Sequence, residues 1–218
     1  MPVRWTSFLW NCCGFMRSMR RVDLAAVVVA CLLPGAALTQ PLADGTPLHA
    51  DDARRLEEYH AAAGEALLDA FSGGDPGDLA ILADVLAGKP LPPEQASAIM
   101  PGDWSCRTIK MGRLLPITVY QPFRCRIGRD GGLEKLTGSQ RTKGQIHLDG
   151  ERLVYLGTGF IAGDVPPPYA DLPRFSSGSD PQRVPEVGVV EMTGQDKGRV
   201  MFPDPYLESR FNILALSR

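Results

Sequence analysis

The part of the chain after Met100 is constrained most strongly by a period of two in its apolar residues. Such alternation is typical of strands that bury one face, because successive side chains of a strand point to opposite sides. Glycine-containing pairs separate the runs, and Asp149-Gly150 is a strong hairpin signal. The pattern predicts eight short antiparallel strands, over residues 103–110, 117–127, 133–139, 144–148, 152–161, 187–192, 199–202 and 211–216. Strands of this number and length predict a barrel or a sandwich.

Residues 49–100 have a different period, in which apolar residues recur at three- and four-residue steps. This spacing predicts two helices. Gly73-Gly74 ends the first, and Asp75-Pro76 supplies an N-cap and a proline for the first turn of the second. We therefore expect an α+β fold in which an N-terminal helical hairpin packs on an antiparallel barrel or sandwich of about eight strands.

The beginning of the chain has the order of a secretory signal peptide. The basic patch Met19-Arg20-Arg21 precedes an apolar run over residues 24–33, and small residues follow it. Cleavage fits after Ala37 or after Thr39. The run is broken by Pro34 and is too short for a membrane helix, so no transmembrane span is expected. These features predict a periplasmic or secreted protein.

Two alternatives are open at this end. Translation from Met16 or Met19 gives a shorter leader. The run that ends in Cys31 also fits the small-residue and cysteine box of a bacterial lipoprotein signal, in which Cys31 carries a lipid anchor. The predicted organisation is a signal peptide over 1–39, a linker over 40–48, the helical hairpin over 49–100, and a barrel-like part of the same domain over 101–218.

Cys106 and Cys125 are the two cysteines that follow the leader. In an oxidising compartment an isolated pair is most simply one disulfide. The histidines are His49, His60 and His147, and their spacing does not suit metal ligands. No metal and no cofactor are therefore expected.

The charge balance excludes one class of partner. The chain has 23 basic and 25 acidic residues, a net charge of −2 and a pI near 5.9. A generic polyanion binder is strongly basic, so a nucleic-acid partner is not expected.

A conditional prediction places several arginines on one outer face. If Cys106 lies opposite Cys125 in neighbouring antiparallel strands, Arg107 faces Arg124, and Arg126 is one step along. Like charges that face each other cost free energy unless a negative group covers them. That cover is either the acidic hairpin of the same chain, solvent, or an anionic ligand or partner surface.

Two polar segments interrupt the strand pattern. Residues 138–144 are bounded by glycines like an anion nest, with Arg141 as a candidate anion-binding residue, although a simple hairpin turn also explains them. Residues 163–185 are too long for a simple connection, and loops of this length are lids, binding loops or disordered segments.

A resemblance to a known family rests on five runs, namely GDWSCRTIK (102–110), FRCRI (123–127), LEKLTGSQRT (133–142), RLVYLG (152–157) and PYLESRF (205–211). They resemble the secreted proteobacterial family known as domain of unknown function 4893. The likeness covers roughly residue 50 to the end, and residues 161–186 are longer here than in the family. It implies an exported domain of this extent, and it implies no particular activity.

No residue cluster forms a catalytic signature, so the leading interpretation is a non-catalytic exported barrel that binds a small ligand or an envelope protein. One alternative is a periplasmic protease inhibitor, which rests on fold analogy. The other is a hydrolase of an anionic envelope substrate, in which Arg107, Arg126 and Arg141 bind charge and Glu134 or Asp149 acts as base. An open cavity under residues 163–185 would favour a ligand, and a filled one would favour a protein interface.

Overall fold

The computed structural model of the chain describes residues 41–175 and 179–218, so the predicted leader, with Cys31 and the alternative start sites, lies outside them. Eight antiparallel strands form a closed barrel in which each strand pairs with the next along the chain and the last pairs with the first. The strands are β1 (Gly102–Gly112), β2 (Leu115–Ile127), β3 (Gly132–Lys135), β4 (Gln140–Asp149), β5 (Arg152–Ile161), β6 (Arg183–Gly194), β7 (Lys197–Pro203) and β8 (Phe211–Ser217). The expectation of about eight strands is confirmed, and the architecture is a barrel rather than a sandwich.

Helices precede the barrel, and the predicted helical hairpin is not confirmed. In the described ranges they are α1 (Ala50–Glu57), α2 (Tyr59–Gly73), α3 (Pro76–Leu86) and α4 (Pro93–Ile99), and a 3₁₀ turn, Tyr169–Asp171, lies between β5 and β6. The expected first helix is interrupted at Glu58. Each helix makes its main contacts with the barrel: α1 and α4 with β6, α2 with β1 and β2, and α3 with β2. None of the helices described is both long enough and apolar enough to span a membrane.

Local sequence explains how two of these helices are placed. Asp75 caps α3 as predicted, because its side chain accepts a hydrogen bond of 2.7 Å from the Gly77 amide. In α2, Ala62, Ala66 and Ala70 recur at every fourth position and are buried against the outside of the barrel. Because these side chains are small, the α2 backbone lies close to the sheet.

The segment predicted as a linker over 40–48 lies, where it is described, along the β4–β5 hairpin. Leu42 and Leu48 are buried in an apolar cluster on the outside of the barrel. Asp44 Oδ2 and His147 Nδ1 are 2.8 Å apart. Hydrogen bonding, mainly from the Thr46 amide, lowers the pKa of Asp44 to about 2. These contacts attach the segment to the hairpin.

The interior of the barrel has an apolar end and a polar end. The apolar end is a buried cluster of inward side chains, among them Trp104, Cys106, Cys125, Ile127, Leu133, Ile146, Leu153, Val190, Met192 and Leu216. Helix α4 closes this end, because Ala96 and Met100 belong to the cluster and the Met100 carbonyl accepts a 2.8 Å hydrogen bond from Trp104 Nε1. Further along β1 the residues of the same parity, Thr108 and Lys110, line a cavity at the other end.

Cys106 and Cys125 form the predicted disulfide, with their Cα atoms 5.8 Å apart. The assumed register is wrong, since Cys106 lies opposite Phe123 and Cys125 lies opposite Trp104. The bridge therefore joins diagonal neighbours on adjacent strands. Because the displacement is by two residues, both cysteines keep the predicted inward direction.

We expect the double substitution Cys106→Ala with Cys125→Ala to lower the free energy of unfolding by about 3 kcal/mol. The bridge closes a chain separation of 19 residues, and this figure is the loss of loop entropy in the unfolded chain for a loop of that size, ~3 kcal/mol. Urea unfolding followed by tryptophan fluorescence measures it. Wild-type protein unfolded in a reducing agent should show the same loss, and a loss below about 1 kcal/mol would contradict a structural role.

Candidate functional site at the mouth of the barrel

A cavity of about 130 Å³ opens at the polar end of the barrel. Its polar wall residues include Thr108, Lys110, Lys135, Gln140, Thr142, Glu186 and Asn212, and its apolar ones include Val184, Phe202 and Leu214. The β5–β6 connection contributes Pro181 and Gln182, and the loop between β7 and β8 contributes residues 205–208. A core cavity of roughly 150 Å³ holds one benzene molecule. This cavity, which we call the mouth cavity, therefore has room for a ligand about the size of one six-membered ring.

Glu186 on β6 is the most unusual group in this cavity. Its carboxylate oxygen Oε2 is buried and has no hydrogen-bond partner among the described residues. Burial raises the pKa of the Glu186 carboxyl, whereas a hydrogen bond with Thr142 and the charges of Arg55, Lys135 and Lys110 act in the opposite direction. Leaving a buried polar atom unpaired costs roughly 1–3 kcal/mol, so such an atom in a cavity marks a candidate binding point.

A hydrogen-bond chain leads from the barrel interior to Glu186. The Tyr155 hydroxyl lies 2.5 Å from Thr142 Oγ1, and Thr142 in turn hydrogen-bonds to Glu186. Burial raises the pKa of Tyr155 well above its ordinary value, so the phenol keeps its proton. Gly157 permits this arrangement, because a Cβ at that position would collide with the Tyr155 hydroxyl.

Lys135 on β3 is a buried cation at the same cavity. Its Nζ donates a 2.7 Å hydrogen bond to the backbone carbonyl of Gln140 and lies 3.9 Å from the centre of the Phe123 ring. Burial lowers the pKa of Lys135 to about 8, and the charge of Glu186 acts in the opposite direction. Lys135 forms no ion pair within residues 41–175 and 179–218. The cavity thus contains a lysine that is mainly protonated at neutral pH and has no carboxylate in direct contact.

The loop between β7 and β8 crosses the mouth and is attached to two strands. Lys110 on β1 forms an ion pair with Glu208, and Gln140 on β4 donates a 3.2 Å hydrogen bond to the same carboxylate. The hydrogen bond with Lys110 lowers the pKa of Glu208. Asp204 and Glu208 have φ angles of 41° and 67°, a region that residues other than glycine rarely adopt. Residues other than glycine disfavour these φ angles, so the contacts of Glu208 with Lys110 and Gln140 must stabilise this loop conformation.

Helix α1 adds a buried ion pair to the same wall. Arg55 Nη1 donates to Asp52 Oδ1 at 2.8 Å, and Arg55 Nε donates to the Pro203 carbonyl at 3.0 Å. The hydroxyls of Tyr169 and Tyr206 donate to the two oxygens of Asp52 at 2.7 and 3.3 Å. The Arg55 guanidinium also lies 4.7 Å from the centre of the Tyr206 ring. The pair therefore joins α1 to both loops that border the cavity.

The predicted facing pair of arginines does not exist. Arg107 lies opposite Pro122, and Arg124 lies opposite Ser105. The reason is the displaced register, because a sequence pattern fixes which face a residue occupies but not its partner across the strands. Arg107 instead borders a groove between α3 and the outside of the barrel.

The other predicted anion-binding arginines are also separated. Arg126 is on the outer face and forms an exposed ion pair of 2.7 Å with Asp103, in keeping with its position across from that residue. Arg141 borders the cavity, and its Nε donates a 3.1 Å hydrogen bond to the Gly138 carbonyl. Of the four predicted arginines, Arg141 alone lines the mouth.

Sequence reasoning did not select Glu186, Lys135, Thr142 or Tyr155. Lys135 and Thr142 are polar residues at inward positions, and period-two patterns assign polar residues to the solvent side. One usable signal exists on β1, where Thr108 and Lys110 continue the parity of Trp104 and Cys106. A strand that changes from apolar to polar on its inward face indicates a polar barrel mouth.

A family model described as "Domain of unknown function (DUF4893)" matches residues 46–216. The chain belongs to the DUF4893 family. The DUF4893 match includes all helices and strands described above except the last residue of β8, so the mouth cavity and the Asp52–Arg55 pair are parts of the DUF4893 domain. Neither the curated proteins nor the solved structures contain a match to the chain.

We expect Asp52→Asn to lower the free energy of unfolding by about 3–5 kcal/mol, because it leaves the buried Arg55 guanidinium without an opposite charge. Chemical denaturation measures this loss. Tyr206→Phe is the matched control, since it removes one weak donor to Asp52 and keeps the ring under Arg55, and we expect it to cost about 1 kcal/mol. Equal effects of the two substitutions would show that the ion pair is not the stabilising interaction.

Proposed function

We propose that the protein is a non-catalytic binding barrel that takes up one small ligand at its polar mouth. The observation that carries this proposal is an open cavity whose lining includes Glu186, a residue with a buried Oε2 that has no hydrogen-bond partner among the described residues. The interior of an eight-stranded barrel is either filled by side chains or holds one small ligand. The cavity lies beside Pro181 and Gln182 at the end of the long β5–β6 connection, and an open cavity there favours a ligand over a protein interface.

A hydrolase is less well supported. Neither candidate base is positioned to act in the cavity. Glu134 pairs with Lys143 at 3.4 Å on the outer face, and Asp149 pairs with Arg152 at 2.9 Å at the β4–β5 turn. Both pairs are solvent-accessible, and neither acid lines the cavity. The candidate arginines do not converge with either acid, so a substrate-binding cluster around these bases has no support.

We also propose that the domain functions outside the cytosol, in the periplasm or after secretion. Both sulfur atoms of the disulfide are on buried residues of the barrel, and such bridges persist in oxidising compartments. The signal-like order of the leader supports the same location.

Filling the mouth should remove the ligand. A Cβ at Gly159 would lie 2.9 Å from both Glu186 Oε1 and Val184 Cγ2, so Gly159→Leu places its side chain in the cavity. We expect wild-type protein purified from its own cells to carry a bound mass in native mass spectrometry, and we expect the variant to lose most of it. Gly64→Ala is the matched control, because a Cβ there meets nothing within 4 Å.

A second variant, Thr108→Leu, fills the same cavity from β1 and covers the case in which Gly159→Leu does not fold. Circular dichroism establishes folding for each variant. Absence of a bound mass on the wild type, or equal occupancy in wild type and both filled variants, would refute ligand binding at the mouth.

Export predicts the covalent form of the mature protein. Intact mass spectrometry should show a chain that begins at Leu38 or Gln40, with no free thiol available for alkylation. A lipid-modified chain that begins at Cys31 would instead establish the lipoprotein alternative. Full-length protein in the cytosol with both sulfurs free would rule out the proposed location.

A further inference from the structure

We propose that the mouth cavity binds a small organic monocarboxylate and that Glu186 takes up one proton when this ligand binds. The inference deepens the proposed ligand-binding function and rests on it. It depends on the charges at the cavity, on the buried oxygen of Glu186, and on the mixed polar and apolar walls.

The charges at the cavity favour an anion. Two of its cations are already neutralised, because Arg55 pairs with Asp52 and Lys110 pairs with Glu208. Lys135 and Arg141 form no ion pair in the part of the chain that the structure describes, and both line the cavity. An ammonium ligand would have to enter beside these cations, whereas a carboxylate would pair with them.

Glu186 accommodates an anion only in its protonated form. The charges that act on it come from three elements, Arg55 on α1, Lys110 on β1 and Lys135 on β3. Thr142 on β4 hydrogen-bonds to it, and the titratable hydroxyl of Tyr155 on β5 lies 2.5 Å from Thr142 Oγ1. Two carboxylates side by side repel each other, and one of them then binds a proton. Protonated Glu186 presents an O–H donor to the ligand, and O–H···O⁻ hydrogen bonds are short and strong. Burial, which raises the pKa of Glu186, favours this form.

The walls favour an organic acid over an inorganic anion. Val184, Phe202 and Leu214 line the cavity together with the polar groups. The apolar side chains offer contact to a carbon skeleton, which inorganic phosphate lacks. The volume limits that skeleton to about one ring. Benzoate and propionate are therefore suitable probes.

Isothermal titration of benzoate and propionate tests the inference. Between about pH 7.5 and pH 5.5 we expect binding to the wild type to tighten by up to tenfold for each unit of pH until Glu186 is protonated in the free protein. Titrations in buffers of different ionisation enthalpy should show uptake of one proton near neutral pH. Below about pH 6.5, where Lys135 with its pKa of about 8 is already protonated, Glu186→Gln should bind the same probes with neither the pH dependence nor the proton uptake, because its amide does not titrate.

Lysine substitutions separate the cavity from general surface charge. Lys135→Met should weaken binding by at least about tenfold, the effect of one lost charge-assisted hydrogen bond. Lys143→Met is the matched control, since Lys143 pairs with Glu134 on the outer face. We expect this variant to bind benzoate and propionate with the affinity of the wild type. If Glu186→Gln does not fold, ¹³C NMR of the Glu186 carboxyl in the wild type gives the same information, because benzoate should raise its pKa.

The outcomes distinguish this inference from the proposed function. Binding that does not depend on pH, tighter binding of propylamine or inorganic phosphate than of the carboxylates, or equal effects of Lys135→Met and Lys143→Met would overturn the inference. If the carboxylates do not bind but a co-purifying mass is lost on filling the cavity, the ligand class is wrong and the binding function stands. If neither is observed, both are wrong.

Discussion

The pairing of β8 with β1 is the interaction on which the rest of the structure depends. It runs from Ser105 opposite Ser217 to Met111 opposite Phe211 and converts a sheet with two free edges into a closed barrel, in which the edge amides and carbonyls pair with each other. The same closure brings Lys110 on β1 beside Glu208, which precedes β8 and is 98 residues away in the chain. The attached loop at the mouth is therefore a consequence of closure.

The barrel interior combines two environments with different energetic requirements. At the apolar end, burial of aliphatic and aromatic side chains and the disulfide stabilises the fold, and α4 completes the packing. At the polar end, buried groups must be hydrogen-bonded or paired to be tolerated. Most of them are: Arg55 with Asp52, Tyr155 with Thr142, and Lys110 with Glu208. Among the described residues two buried side-chain atoms have no hydrogen-bond partner, His49 Nδ1 and Glu186 Oε2. Glu186 lines the mouth cavity, and the functional proposals depend on it.

Alternating apolar residues located all eight strands, because one side of each strand is packed. The spacing of three and four residues predicts two helices, of which the first is divided into α1 and α2 and the second is α3. Helix packing was not predictable, since an apolar stripe fits a barrel as well as another helix. The register of β1 and β2 was missed by two residues because the faces are identical in both registers. The polar mouth was missed for a related reason. Gln140 and Thr142 point inward at the start of β4, in the segment 138–144 that also fits a turn. Glu186 lies in β6, between the predicted loop 163–185 and the predicted strand 187–192, so neither prediction includes it.

Helix α4 and the apolar cluster fill the end of the barrel opposite the mouth cavity. Under the proposed function, a ligand therefore enters and leaves at the polar end of the barrel. For such a ligand, the exchange rate depends on the two segments at the rim, namely the β5–β6 connection and the loop between β7 and β8 that Lys110 and Gln140 hold. Under that proposal, the contacts of Lys110 and Gln140 with Glu208 affect the residence time of the ligand, separately from the contacts that determine its affinity.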